Sequence, residues 1–417
     1  MTRTSWTTVG LVMLAGLVCP AASHAQFEEI GLRQAVEIAL ANRPEMMAAR
    51  ARVASSRARR WADLGLPGPS IAYTREGIKG GDFTEQRVVV SQEIPMPFAL
   101  TARSKGLSEG VQAATAESDL LRAQITEAVK TAYLEVLHAR STLALRGRAV
   151  ELSTALMRAV SSRIAAGEAA ELDLLKAQLQ DAEARDLLDA AERTYLMSRY
   201  GLFRSMGLSP DVQRYSVVFV DSLRFRDVPV NQDSVLAGLE WQPEVRLAAA
   251  HERALAQFAR AASYDSWPGV FVSFRPQDFS GRYRDRAVEF GVRIPLADWL
   301  GRRASKRRAD AERLAGAQER ESVILELKKD VEQRWHSYDI SRRTILRYQL
   351  TLRGRAEELV RLTREGYVLG EFDLLALLDA QRTYVASEVR YLDALRAYHL
   401  DLIRLERYAG RELEQFD

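Results

Sequence analysis

The chain has a single cysteine, Cys19, and it lies inside an apolar N-terminal run. No disulfide framework or thiolate metal site is therefore open to the rest of the molecule. Beyond that run histidine is scarce as well. His138, His251, His336 and His399 stand apart, with no second His or Cys at ligand spacing. No Gly-rich loop follows a strand to cradle phosphate, and no Ser/His/Asp arrangement emerges. The reading is of a chain that is not an enzyme, with no catalytic, metal or cofactor-binding residue and no cofactor. An excess of one charge is missing too: the net charge is +3 although 28% of residues are charged, which gives no footprint for nucleic acid. Past the N-terminus no stretch reaches 18 consecutive apolar residues, so any membrane part must be built from strands.

The apolar run itself has a function. Arg3 is followed by Val9–Cys19, then by the helix breaker Pro20 and by Ser23-His24-Ala25 with small residues at −3 and −1. This is the pattern of a secretory signal over 1–25, with a mature chain from Gln26. Val18 is not the small residue that a lipid-modified Cys19 would need before it.

What the chain does contain is a repeat. GEAAELDLLKAQ at 167–178 returns as GEFDLLALLDAQ at 370–381. Pro44 answers Pro243, Pro69 answers Pro268, and QEIP (92–95) answers VRIP (292–295). The offsets of 199, 200 and 203 are nearly constant, so one unit is used twice. The expected division is a first repeat over 26–206, a connecting segment over 207–231 and a second repeat over 232–417. Each repeat runs shorter helix, β-hairpin, very long helix, tight turn and returning helix. The shorter helices are expected over 32–64 and 233–263, and the returning helices over 172–206 and 374–408. The connecting segment, with Pro210, Pro229 and the strand-like SVVFV (216–220), reads as a small mixed piece outside the helical body.

Between Leu107 and Ile164 nothing breaks a helix, which would reach roughly 90 Å. Its seam alternates steps of three and four through Val111, Ala114, Ser118, Leu121, Ile125, Ala128 and Ala132. Ile324, Leu327, Val331, Arg334, Tyr338, Ser341, Ile345, Tyr348 and Leu352 do the same in the other half. A second seam on the first long helix, through Leu134, Leu137, Leu145, Ala149, Leu152 and Leu156, points to partners on both sides, as in a closed tube of helices. A bundle helix with a broad apolar face would give the same pattern.

The hairpins, about 70–94 and 269–294, alternate. Val88, Val90 and Ile94 share one face and Arg87, Ser91 and Glu93 the other. In the second hairpin Val288, Phe290, Val292 and Ile294 oppose Glu289 and Arg293. The first set of each suits lipid, the second a lumen. Four strands alone cannot sit in lipid with open edges, so several chains would share a barrel. Three copies, twelve strands, are the smallest number that leaves a useful channel. The competing reading is a periplasmic coiled-coil scaffold that keeps these faces in a soluble core.

With these residues in view, the mature chain resembles the TolC-like outer-membrane efflux proteins. The resemblance rests on the AxxNRP opening (39–44) and its LxWQP counterpart (239–243), the strand endings EIPMPF (93–98) and RIPLADWLGRR (293–303), and the duplicated tips. It implies a mainly α protein with a membrane β-barrel: a homotrimer of twelve strands continued by a twelve-helix α-barrel across the periplasm. The partners implied are a periplasmic adaptor protein, an inner-membrane pump and outer-membrane lipid. The implied role is the exit duct of a tripartite efflux or secretion system. The repeated stretches then become periplasmic tip turns that dock the adaptor, at Gly167, Glu168, Gly370 and Glu371, the glycines allowing positive φ. Carried over residue by residue, the family's gate falls on Asp173, Tyr367 and Asp379. Phe372 and Ala376 stand where an arginine and a second aspartate are expected, so one acidic ring rather than two is anticipated. SQEIPMP (91–97) is similar to the heavy-metal branch, but Phe98-Ala99-Leu100 follows where that branch carries a Pro-Gly-Lys-Arg turn.

Overall fold

The computed structural model describes residues 29–64, 67–77, 85–209, 217–265, 267–279, 283–293, 299–349, 353–410 and 413. The expected signal over 1–25, with Cys19, lies outside them, as do Ile294 and the side chain of Arg293.

The first repeat holds α1 (Leu32–Asn42), α2 (Pro44–Ala62), the strands β2 (Ser70–Glu76) and β3 (Glu85–Ile94), the long α3 (Pro97–Ala165) and the returning α4 (Glu171–Ser205). The second holds α5 (Gln232–Ala237), α6 (Pro243–Tyr264), β5 (Gly269–Phe279), β6 (Tyr283–Arg293), α7 (Trp299–Arg347), α8 (Arg353–Leu369) and α9 (Leu374–Ala409). Two short strands, β1 (Glu29–Ile30) and β4 (Val218–Phe219), pair in parallel beside the helices.

Two expectations need correcting. Each shorter helix is divided: α1 and α2 meet at Arg43, and a 3-10 turn over Leu239–Trp241 ends at Gln242 before α6. The prolines are the cause. The ring of Pro44 or Pro243 drives the preceding residue out of the helical region, to ψ 125° at Arg43 and 141° at Gln242. The same prolines then serve as first-turn residues of the following helix. The first long helix also begins earlier than Leu107, because Pro97 starts it and the 69-residue element reaches about 100 Å. In the second repeat, α7 and α8 lie on either side of residues 350–352, which are outside the described set.

Helix α3 has partners along both flanks. Its first half lies against α2 and α6, its second half against α4 and α9, while α7 packs on α6 and α9, and α8 on α9. Its lower seam is buried at Leu134, Leu137, Leu145 and Leu156. The upper seam sits a fraction of a turn away from the expected one: Ala113, Ala116, Val129 and Tyr133 are buried, while Ala128 is exposed. A strict 3.5-residue count drifts by about 20° per heptad against a straight helix, enough to shift this stripe. On α7, Leu327, Val331, Tyr338, Ser341 and Ile345 are buried at the expected spacing.

The waist carries most of the aromatic core. Tyr133 of α3 donates to the Ile30 carbonyl (3.0 Å) and to Asp221 Oδ2 (2.6 Å), and that carboxylate also accepts from the Leu32 amide (2.9 Å). On the other side, residues 224–230 are stapled to α7 and α9. Trp335 donates to the Val230 carbonyl (3.2 Å), Tyr398 to that of Arg226 (2.8 Å), and Arg342 grips Asp227 with two bonds of 2.5 and 2.7 Å.

The hairpins merge into one antiparallel sheet in the order β2-β3-β5-β6. Among the described residues no helix is long and apolar enough to cross a membrane.

Candidate functional sites on the sheet and at the helical tips

The register puts the two hairpins in phase. Tyr73 lies opposite Val88, Ile71 opposite Val90, Val90 opposite Phe274, Val272 opposite Phe290, and Val270 opposite Val292. Because side chains alternate with period two, all of these share one face with Ile94 and Val288. That face is bare: Phe290 is 76% exposed, Ile71 72% and Val292 61%. The opposite face carries Arg87, Ser91, Glu93 and Glu289. There Arg87 bridges to Glu76 (2.7 Å), Ser70 and Ser91 share a hydrogen bond (2.6 Å), and Ser273 donates to Glu289 (3.2 Å). The sheet is thus apolar and uncovered on one side, polar and cross-linked on the other. The outer edges of β2 and β6 have no partner strand among the described residues.

The turns after α3 and α8 are built alike. Gly167 and Gly370 have φ of 78° and 79°. The Glu168 amide donates to the Arg163 carbonyl (2.8 Å) and that of Gly167 to Ile164 (2.9 Å). The Glu371 amide reaches Gly366 (2.8 Å) and that of Gly370 reaches Tyr367 (3.2 Å). Both are Schellman caps, each satisfying the last carbonyls of its helix with a left-handed glycine. A Cβ on either glycine would meet nothing within 4 Å, so glycine is required there by φ alone. Glu168 and Glu371 are exposed.

Tyr367 is 4% exposed, packed with Leu156, Val160, Ala177, Leu374, Leu377 and Leu378. Arg163 holds it: Nη1 donates to the Tyr367 carbonyl (3.1 Å) and the guanidinium lies over the ring, 4.9 Å from its centroid. Burial raises the Tyr367 hydroxyl above its ordinary pKa; Arg163 opposes this and the charge of Asp173 adds to it. Asp173 itself faces Lys176 (3.4 Å). Asp379 stands exposed on α9.

Tyr367 and Asp173 are therefore neighbours across the turns, while Asp379 belongs to the open surface. Arg163 was missed in the sequence reading. Its one signal was a basic residue in the last turn of a helix, four positions before the glycine. The structure also accounts for Phe372: its ring lies where a Cβ on Gly366 would come within 2.2 Å, so the pair closes the second tip.

A duplicated protomer of this kind, with a four-stranded sheet at one end and helical tips at the other, has the fold of a TolC-like outer-membrane channel. VceC, an outer membrane protein of Vibrio cholerae, superposes with a TM-score of 0.76 at 17% identity, over 92% of this chain and 97% of that one. The open state of the MtrE outer membrane channel of Neisseria gonorrhoeae gives 0.73 at 17% identity, over 91% and 88%. The cobalt-zinc-cadmium resistance protein CzcC of Cupriavidus metallidurans is 25% identical over 294 residues, 70% of this chain and 68% of that protein. Residues 231–411 match the outer membrane efflux protein family. The fold is therefore that of the TolC-like outer-membrane channels, and the family match lies in the second repeat.

Proposed function

We propose that this protein is the outer-membrane exit duct of a tripartite efflux system, exported by a signal cleaved after Ala25 and assembled as a homotrimer. The observation that carries the reading is the sheet. A bare apolar face backed by a polar face, with both outer edges open, is stable in lipid only if further copies complete the ring. The helical layer supports the same closure. At one edge, α4 exposes Leu172, Leu175 and Leu179; at the other, α8 exposes Leu362, Val368 and Leu369. A neighbouring copy would cover each edge with the other.

In this arrangement Arg87, Ser91, Glu93, Glu289 and Arg293 line the lumen, and Val88, Val90, Ile94, Val288, Phe290, Val292 and Ile294 face lipid. The turns at Gly167, Glu168, Gly370 and Glu371 dock a periplasmic adaptor, which couples the duct to an inner-membrane pump. Tyr367, held by Arg163, and Asp173 latch the mouth, and three copies of Asp379 make a cation-favouring ring. The likeness to a cobalt-zinc-cadmium resistance protein supports divalent metal ions as the cargo.

The test is the mass of the detergent-extracted mature protein by light scattering, with electron images of the same sample. An elongated hollow trimer more than roughly 100 Å long is expected. A monomer or dimer that stays in solution without detergent would overturn the duct and leave the scaffold.

A further inference from the structure

Directly below the apolar sheet face, at the junction of strands and helices, the chain changes character. Trp61 near the end of α2 is 72% exposed, Trp267 ahead of β5 53%, and Phe98 at the start of α3 57%. The two indoles in this position suit the boundary between hydrocarbon and headgroups. The guanidinium of Arg60 lies over the Trp61 ring, 5.8 Å from its centroid.

Cations crowd the next turns. The last six residues of α2 include Arg57, Arg59 and Arg60, and α7 from Trp299 to Ala309 holds five basic residues and no acidic one. In a chain whose net charge is only +3, this is a local excess. Some of it is neutralised, since Arg308 pairs with Glu312 (3.2 Å). Arg57, Arg59, Arg303, Lys306 and Arg307 are exposed and have no ion pair among the described residues. At 100° per residue, Arg303, Lys306, Arg307 and Arg308 spread around more than half of α7, so several must reach the outer surface.

The position of these clusters adds a second argument. Helices α2 and α7 are the two edges of the layer α2-α3-α6-α7. In a closed ring the α7 cluster of one copy would lie beside the α2 cluster of the next, and like charges side by side repel unless an anion intervenes.

We propose that this collar binds the phosphate groups of anionic phospholipids in the periplasm-facing leaflet, which thereby cement neighbouring subunits. The proposal rests on the outer-membrane channel reading. Basic side chains beside an anionic membrane surface, with indoles at the boundary, are the chemistry that recognises such headgroups. The partner is the lipid and not a free anion, because the cations adjoin the exposed rings and the apolar face.

The experiment uses the full mature protein extracted in detergent. Native mass spectrometry counts lipids retained after equilibration with phosphatidylglycerol or phosphatidylethanolamine, and a thermal melt follows the trimer in each. Two triple variants are compared with wild type: Arg303→Gln/Lys306→Gln/Arg307→Gln, and Arg57→Gln/Arg59→Gln/Arg60→Gln. Arg148→Gln/Arg193→Gln, on exposed helix surface nearer the tips, is the control. Wild type and control are expected to retain phosphatidylglycerol at least about tenfold better than phosphatidylethanolamine and to melt higher with it; each collar variant loses the preference. Equal retention of the two lipids by a wild-type trimer would overturn the collar and leave the channel intact. So would inorganic phosphate stabilising as well as phosphatidylglycerol, since that marks a bare anion site. So would unchanged lipid preference with altered anion conductance, since that places the cations in the lumen. A chain that needs no detergent would remove the channel reading and the collar together.

Discussion

Arg163 and Tyr367 join the two tips of the chain: the guanidinium that ends α3 lies over the ring and on the carbonyl of the tyrosine that ends α8. This contact spans 204 residues of sequence and is the described polar link from Arg163 to the second tip. If the mouth is latched here, Arg163→Ala should raise the single-channel conductance of the reconstituted trimer severalfold. Tyr367→Phe, which keeps both the ring and the carbonyl, should change it much less. Wild-type conductance in Arg163→Ala would reduce the contact to packing.

At the waist, the single Tyr133 hydroxyl proton lies within reach of both the Ile30 carbonyl and Asp221, so Tyr133→Phe removes one donor from a buried cluster in which the Leu32 and Val220 amides remain. The cost should be about 1–3 kcal/mol. In a thermal melt it appears as a midpoint lowered by several degrees, with the assembly otherwise unchanged. Burial and the neighbouring Asp221 carboxylate both raise the Tyr133 pKa, so its hydroxyl stays protonated and donating throughout the physiological range. The loss in Tyr133→Phe should therefore be the same at pH 6 and pH 8. A variant as stable as wild type would show that water or main-chain groups replace the hydroxyl without penalty.

These two sites mark where sequence reading succeeds and where it stops. The repeat, the alternating strands and the α7 seam were legible because each is a periodic pattern, and period alone sets which face a residue occupies. Pro44 and Pro243 were legible as landmarks but not as breaks, since the apolar pattern runs on across both. Arg163, Asp221 and Arg342 were not legible at all. Their partners, Tyr367, Tyr133 and Asp227, lie 204, 88 and 115 residues away, and no local pattern records a contact made by packing.

His138 of α3 offers a pH readout of the α3–α9 seam. Its Nε2 lies 3.1 Å from Asp393 Oδ1, with Arg396 and Glu135 close by. Burial lowers its pKa from the ordinary 6.5, Arg396 adding to this while Asp393 and Glu135 oppose it. Asp393 is 61% exposed, so solvent screens its pull. A histidine that binds its proton less readily when folded contributes stability above its free pKa, and that stability is lost as the pH falls through the region near 6.5. The melting midpoint should thus drop between pH 7.5 and pH 5.5 in wild type, and drop less in His138→Gln. Equal drops would mean that carboxylates elsewhere set the acid response.

The sheet gives the sharpest contrast, because two positions on its opposite faces should respond oppositely to the same substitution. Phe290 is on the bare apolar face, and Ser91 is on the polar face within the same sheet. An arginine facing lipid near mid-bilayer costs about 2–4 kcal/mol, whereas one facing an aqueous lumen is solvated. Phe290→Arg should therefore reduce the amount of trimer recovered from the outer-membrane fraction to a small share of wild type. Ser91→Arg should leave recovery unchanged and alter ion conductance instead. Recovery of Phe290→Arg trimer from the outer-membrane fraction at the wild-type level would show that Phe290 does not face lipid.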